Sequence, residues 1–497
     1  MPRLLRSSSR TPTLATFLVA SWTLTFSAVL LRAQAAAVPT AASPTQQVQI
    51  AVSATVLDRY VGRYRLAPNF VITMTREGDH LYTQGSGQNR FELFPESEKE
   101  FFAKIGPIKV TFVTDDQGKA TAIVVHQGGR DITAKRIVEL TAEGVKGQCA
   151  QIDAMIAAEF TKRPTGSVTA GVLLGNGLIC TKSYGNADME KHVPADKDTI
   201  YRIGSITKMF TAVMLEQLVD AGKIHFASPV DKYFPEIDTV QGKFSWAPPV
   251  TFFELATHTS GMDREPDNTD EYVKGAVADW EKTLIAALPH THFIFEPGTH
   301  FSYSNIGYAT LGAALARVAG EPYLEYVPKH ILTPLGMTNT SLVLTPEMAP
   351  HLSKGYDVAQ GKVDSETALR ENQGGRGYKV PNGAIYTTVG DMARFASFLM
   401  GHGPESVLKK SSLDNDLTRF AVQADFQLDS GYGIGAFVTH RDTYTAFGHG
   451  GAVAGYQAAL YLNREAGVGV ILFANALGPG AVDTDGLALK ALDILSK

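Results

Sequence analysis

Strand-like runs stand at both ends of a long helical stretch, and this arrangement limits the possible folds more than any other feature of the chain. Past Gly144, residues Gln148 to Phe160 carry Ile152, Met155, Ile156 and Phe160 on one helical stripe. Two strands then flank a tight turn: Val168–Leu174, Gly175-Asn176-Gly177 and Leu178–Ser183. After Thr199 helical patterns dominate, until strand-like runs return at Tyr456–Leu462 and Val468–Ala474, followed by a last helix around Leu487–Leu495. A strand must bury at least one face against a partner. The pattern over residues 143–497 therefore predicts an α/β domain whose sheet joins its two ends.

The texture ahead of this domain is different. From Thr55 to Arg136, Phe70, Ile72 and Met74 alternate with Val71, Thr73 and Thr75, and Val110 and Phe112 keep the same period of two. Asp115-Asp116-Gln117-Gly118-Lys119 reads as a hairpin turn between Val110–Thr114 and Thr121–His126. Residues 55–142 are thus expected to form a small all-β, barrel-like accessory domain, an antiparallel barrel or sheet too short for elaborate chemistry. Residues 36–54 read as a linker, with Pro39 and Pro44 and no hydrophobic period.

Residues 1–35 read as an address. Arg3, Arg6 and Arg10 precede the mostly apolar run Thr13–Leu31, and Ala33-Gln34-Ala35 supplies small residues for cleavage. The run is 19 residues long, close to bilayer-spanning length, so an uncleaved anchor is the alternative to a cleaved signal peptide. Either reading puts the bulk of the chain outside the cytoplasm, periplasmic or extracellular. Cys149 and Cys180, 31 residues apart, then either form a disulfide or remain two buried thiols.

Composition excludes several classes. Two cysteines cannot build a disulfide-dense scaffold or a Cys-rich zinc module. A net charge of −5 gives no basic field for nucleic acid. The partner expected is a small-molecule or peptide substrate, with no cofactor and no metal; the oligomeric state is left open.

Gly204-Ser205-Ile206-Thr207-Lys208 opens an apolar helical pattern that Gly222 ends. On a helix Ser205 and Lys208 share a face, so an amine can approach a hydroxyl. A serine is a poor nucleophile until a base takes its proton, and a desolvated lysine is such a base. The spacing alone is weak, since Ser406-Val407-Leu408-Lys409 repeats it. The order discriminates: Ser205…Lys208, then Tyr303-Ser304-Asn305, then His449-Gly450-Gly451 is the one series of that kind in the chain.

With these motifs, residues 149–497 resemble the serine β-lactamase and penicillin-binding superfamily, in its class C-like branch of D-aminopeptidases, D-Ala-D-Ala carboxypeptidases and esterases. Tyr201–Lys208, Leu255–Met262, Pro334–Met337 and Thr387–Met392 match further landmarks in the expected order. The resemblance implies a β-lactamase/transpeptidase-like fold, with an antiparallel sheet flanked by helices and an all-helical subdomain. It implies that Ser205 becomes acylated, that Lys208 and Tyr303 share the proton work, and that Asn305 orients substrate or Lys208. It further implies that His449 and Gly451 line the substrate site, and that the N–H groups of Ser205 and Ala452 hold the oxyanion. The front module resembles the lipocalin-like domain that accompanies such hydrolases, although there it usually follows the catalytic part.

One departure bears on substrate. Relatives that act on β-lactams carry Lys-Thr-Gly or Lys-Ser-Gly where this chain has His449-Gly450-Gly451. A lysine there is a permanent cation for a carboxylate, whereas an ordinary histidine is only partly charged near neutrality. Esters and D-amino-acid amides are accordingly favoured over β-lactams. An acylating sensor and a non-catalytic cell-wall-binding relative are the competing functional classes. His290, His292 and His300 read as solvated loop histidines, His258 as structural, and Gly374-Gly375-Arg376-Gly377 as a mobile loop.

Overall fold

The computed structural model describes residues 49–496 apart from 68–69, 87, 138, 418–421, 424–429 and 442. The expected signal segment 1–35 and most of the linker 36–54 lie outside the described residues.

A short helix, Ala54–Tyr60, leads into eight antiparallel strands running from Gly62–Ala67 to Arg130–Arg136. Each pairs with the next, and the first pairs with the last through Tyr64 opposite Arg136, closing a barrel. Closure leaves no strand edge unpaired. The period-two pattern decides what points inward: Ile72 and Met74 join Tyr64, Leu81, Phe112 and Ile123 in the core, while Thr75 is exposed. Tyr60 plugs the interior and stacks on Phe112 with ring centroids 4.1 Å apart. At the expected hairpin turn, the Asp115 carboxylate accepts from the N–H groups of Gln117 and Lys119, and Gly118 takes a φ of +76°.

The larger part is built on a nine-stranded antiparallel sheet. Its order from one edge is Val193–Pro194, Gly177–Asp188, Ser167–Leu174, Val468–Ala474, Tyr456–Asn463, Thr445–Val453, Phe437–His440, Ser430–Tyr432 and Val422–Gln423. Ser167–Leu174 and Val468–Ala474 are neighbours, so the sheet does join the two ends of the domain. Both faces are covered. Val168, Ala170, Val172, Val470 and Leu472 pack with helices Ala142–Lys162 and Thr484–Leu495, whereas Leu173, Ile471 and Phe473 face the main core.

That core continues into the helical region. Helix Thr207–Asp220 buries side chains all round through its first ten residues, as a helix at the centre of a large core does. Thr251 and Glu254 form a capping box. Thr388 caps the helix Val389–Ser397 in the same way, but the buried Asp391 carboxylate accepts from Asn339 N–H and the Thr340 hydroxyl instead of closing a box. Cys149 and Cys180 are joined as a disulfide, linking helix Ala142–Lys162 to strand Gly177–Asp188. The barrel contacts this domain where Arg65 pairs with Glu465 at 2.6 Å, in the turn between two sheet strands. Among the described residues no helix is long and apolar enough to cross a membrane.

Candidate active site

Ser205 lies in a single 3-10 turn, Gly204–Ile206, that delivers the chain from the short strand Tyr201–Arg202 into helix Thr207–Asp220. Gly204 takes a φ of +49°, and a β-carbon there would lie 2.9 Å from the Ala452 nitrogen. A β-carbon on Gly451 would strike the Ile203 carbonyl and lie 3.3 Å from the Ser205 nitrogen. The two glycines thus let strand Thr445–Val453 press against the turn, with the Ser205 and Ala452 amides side by side.

Tyr303 and Asn305 are placed by a helix cap between them. Ser304 accepts from Gly307 N–H at 2.9 Å at the start of helix Asn305–Ala319, and its hydroxyl donates to the Asp263 carbonyl. Its own N–H donates to His258 Nδ1 at 3.0 Å. His258 is therefore engaged with the Tyr303–Ser304 backbone, and its ring lies 4.1 Å from that of Tyr303.

The expected residues converge. Lys208 Nζ stands 3.1 Å from Ser205 Oγ, 2.8 Å from Asn305 Oδ1 and 3.1 Å from the Asn382 carbonyl oxygen. It also lies 4.7 Å from the centre of the Tyr303 ring. The Tyr303 hydroxyl is buried without a hydrogen bond of good geometry, although Ser205 is near enough to ease its ionisation. Asn305 bridges outward, its Nδ2 donating to Glu265 at 2.7 Å.

Burial sets the charge states. It drives the Lys208 pKa well below the ordinary lysine value; Glu265 works against that shift, and Arg264, Lys379 and Arg376 reinforce it. It pushes the Tyr303 phenol up, with Ser205 and Arg264 recovering part of the cost. Burial, reinforced by Lys208, brings His449 down to about 3. Its Nδ1 faces the Gly450 carbonyl and therefore carries the proton, leaving Nε2 to accept from the Tyr432 hydroxyl at 3.0 Å. The expectation of a partly charged His449 is thus corrected: it is a neutral imidazole at physiological pH.

Ser205, Tyr303, Asn305 and His449 line one cavity of about 720 Å³, with Lys208 buried behind its wall, and share it with residues the motifs do not reveal. Arg264 lies over the Tyr303 ring at 4.9 Å. Glu265 pairs with Lys379 at 2.9 Å. Asp485 comes from the C-terminal helix. Burial would raise Glu265, but Lys379 and hydrogen bonds from Tyr378 and Asn305 outweigh it and hold the carboxylate low. The expected loop at Gly374–Gly377 is packed down: Arg376 pairs with Glu371 at 2.9 Å and donates to the Gly383 carbonyl at 2.8 Å. His290, His292 and His300 go separate ways, to the Tyr272 ring, to Asp263 and Asp267, and to Phe295.

Known proteins resemble this chain over most of its length. The Beta-lactamase family model matches residues 152–493, more than half of the chain, and a model described as Domain of unknown function (DUF3471) matches 46–137. The chain is 29% identical over 329 residues to Beta-lactamase-like protein 2 of Dictyostelium discoideum, covering 65% of this chain and 58% of that protein. It is 29% identical over 227 residues to the D-alanyl-D-alanine-carboxypeptidase/endopeptidase AmpH of Escherichia coli, covering 45% and 54%. The chain thus spans little more than half the length of these curated relatives. Among solved structures, EstCE1, a hydrolase with promiscuous acyltransferase activity, superposes with a TM-score of 0.60 at 17% identity, covering 71% of this chain and 99% of that one.

Proposed function

The chain belongs to the beta-lactamase family, and from that premise we propose that it is an exported serine hydrolase working through an acyl-enzyme on esters, D-amino-acid amides or D-Ala-D-Ala-type substrates. The contact that carries this reading is Lys208 Nζ at 3.1 Å from Ser205 Oγ, with two further acceptors fixing the amine. A neutral amine has two N–H groups and one lone pair. With the N–H groups given to Asn305 Oδ1 and the Asn382 carbonyl, the lone pair is left for the Ser205 proton.

The steps follow from this geometry. Lys208 takes the proton as Ser205 Oγ bonds to the substrate carbonyl carbon. The resulting oxyanion is held by the Ser205 and Ala452 N–H groups. Collapse breaks the bond to the leaving group, which takes a proton from the Tyr303–Lys208 pair, and the acyl group stays on Ser205. Water then attacks the ester with Lys208 as base, restoring Ser205. His449 and Gly451 form the wall beside the acyl group. Export is supported by the Cys149–Cys180 disulfide, a bond suited to an oxidising compartment.

The test is labelling with a fluorophosphonate, followed by turnover of p-nitrophenyl acetate. The expected result is a labelled Ser205, steady turnover, and loss of both in a folded Ser205→Ala protein. Labelling without turnover would favour an acylating sensor, and no labelling a non-catalytic relative.

A further inference from the structure

We infer that the cavity around Ser205 is built for ligands carrying an ammonium group, which seats on the Asp485 carboxylate, and that it disfavours a free carboxylate at that end. The inference rests on the hydrolase reading only for which bond is then cut.

Asp485 stands in the first turn of helix Thr484–Leu495 and lines the same cavity as Ser205, beside Gln457 and Tyr461. Its hydrogen-bond partner is the Tyr461 hydroxyl, at 3.1 Å. Among the described residues no lysine or arginine pairs with it, and the other carboxylate near enough to act on it, Asp483, repels its charge. A partly desolvated carboxylate without a cation is a costly group to keep. A ligand ammonium would offset that cost through a charge-assisted hydrogen bond.

The backbone makes room for this group. A β-carbon on Gly450 would lie 2.3 Å from both Asp485 oxygens, so only a glycine there lets the carboxylate come up against the third motif. The preceding residue, His449, is held neutral by burial. Where β-lactam-cleaving relatives place a lysine for a carboxylate, this wall presents a neutral imidazole and then an acid. The cavity's cations stand elsewhere. Lys379 and Arg376 are committed to Glu265 and Glu371, and Arg264 lies over Tyr303.

The experiment uses ligands of one length and three head groups: n-hexylammonium, n-hexanol and hexanoate. Their dissociation constants are measured by calorimetry on the full-length Ser205→Ala protein, where no turnover interferes, and on the same protein with Asp485→Asn. The expected result is binding of hexylammonium at least ten-fold tighter than of hexanol or hexanoate, with that preference abolished by Asp485→Asn. Gly450→Ala, which displaces the carboxylate without removing it, is expected to weaken hexylammonium in the same direction. Equal binding of the three, an ammonium preference that survives Asp485→Asn, or a preference for hexanoate would overturn the inference. Fluorophosphonate labelling of the unmutated protein is read separately. Labelling without an ammonium preference removes this inference alone, and an ammonium preference without labelling removes the hydrolase reading alone.

Discussion

Lys208 has lost its water and is hemmed in by Arg264, Lys379 and Arg376, with Glu265 opposing them, so it gives up its proton well below 10.5. A general base acts deprotonated. Thus kcat/KM for p-nitrophenyl acetate should rise with pH at unit slope through the lowered pKa and then level off, with Tyr303 ionising only above the ordinary phenol value. A rate still climbing near 10.5 would mean that Lys208 keeps an ordinary pKa. Asp485 shifts the opposite way. Burial raises it from 3.8 to about 6, so the folded chain binds the extra proton between those values, and stability falls as pH rises through that window. Asp485→Asn removes the penalty, on the order of 2–3 kcal/mol. Thermal unfolding of the variant should therefore show a higher Tm than the parent at pH 8 and little difference at pH 4. Ser205, Lys208, Tyr303, Asn305 and His449 were legible in the sequence because they sit in ordered motifs. Asp485, Arg264 and Glu265 were not, because only tertiary packing brings their charges to the cavity that Ser205 lines. The neutrality of His449 was hidden for a related reason: it comes from burial, which a tripeptide does not encode.

At the scale of elements, the disulfide fastens the outer helix Ala142–Lys162 to the sheet beneath it. Cross-linking residues 31 apart restricts the unfolded chain, and replacing both cysteines by serine should cost about 2–4 kcal/mol. Urea unfolding checks this, and a reductant should destabilise the parent while leaving the double variant unchanged. The long strands and the outer helix were readable from periodicity. The short strands Ser430–Tyr432 and Phe437–His440 were not, being too short to show a period. The tightness of Gly374–Gly377 was also hidden, since a glycine-rich run looks alike whether it is free or pinned by a buried arginine.

At the scale of the whole molecule, the barrel and the domain built on the nine-stranded sheet meet through a specific ion pair. Burial raises the Glu465 carboxyl, and Arg65 recovers part of that cost. Glu465 also accepts, through its backbone carbonyl, from Arg63. Glu465→Ala should loosen the barrel without touching the site. The expected outcome is faster limited proteolysis of the barrel strands and a kcat/KM for p-nitrophenyl acetate within about two-fold of the parent. The barrel's alternation was visible in the sequence, but its closure was not, because the Tyr64–Arg136 pairing is a long-range choice between open and closed sheets.

The adjacency of Ser167–Leu174 and Val468–Ala474 has a consequence for how the molecule is made. A ribosome releases Ser205 and Lys208 long before Ala452 and the strand that locks the sheet. The nascent chain therefore carries Ser205 without the Ala452 amide beside it until strand Thr445–Val453 has been added, and the proposed chemistry waits on that late strand.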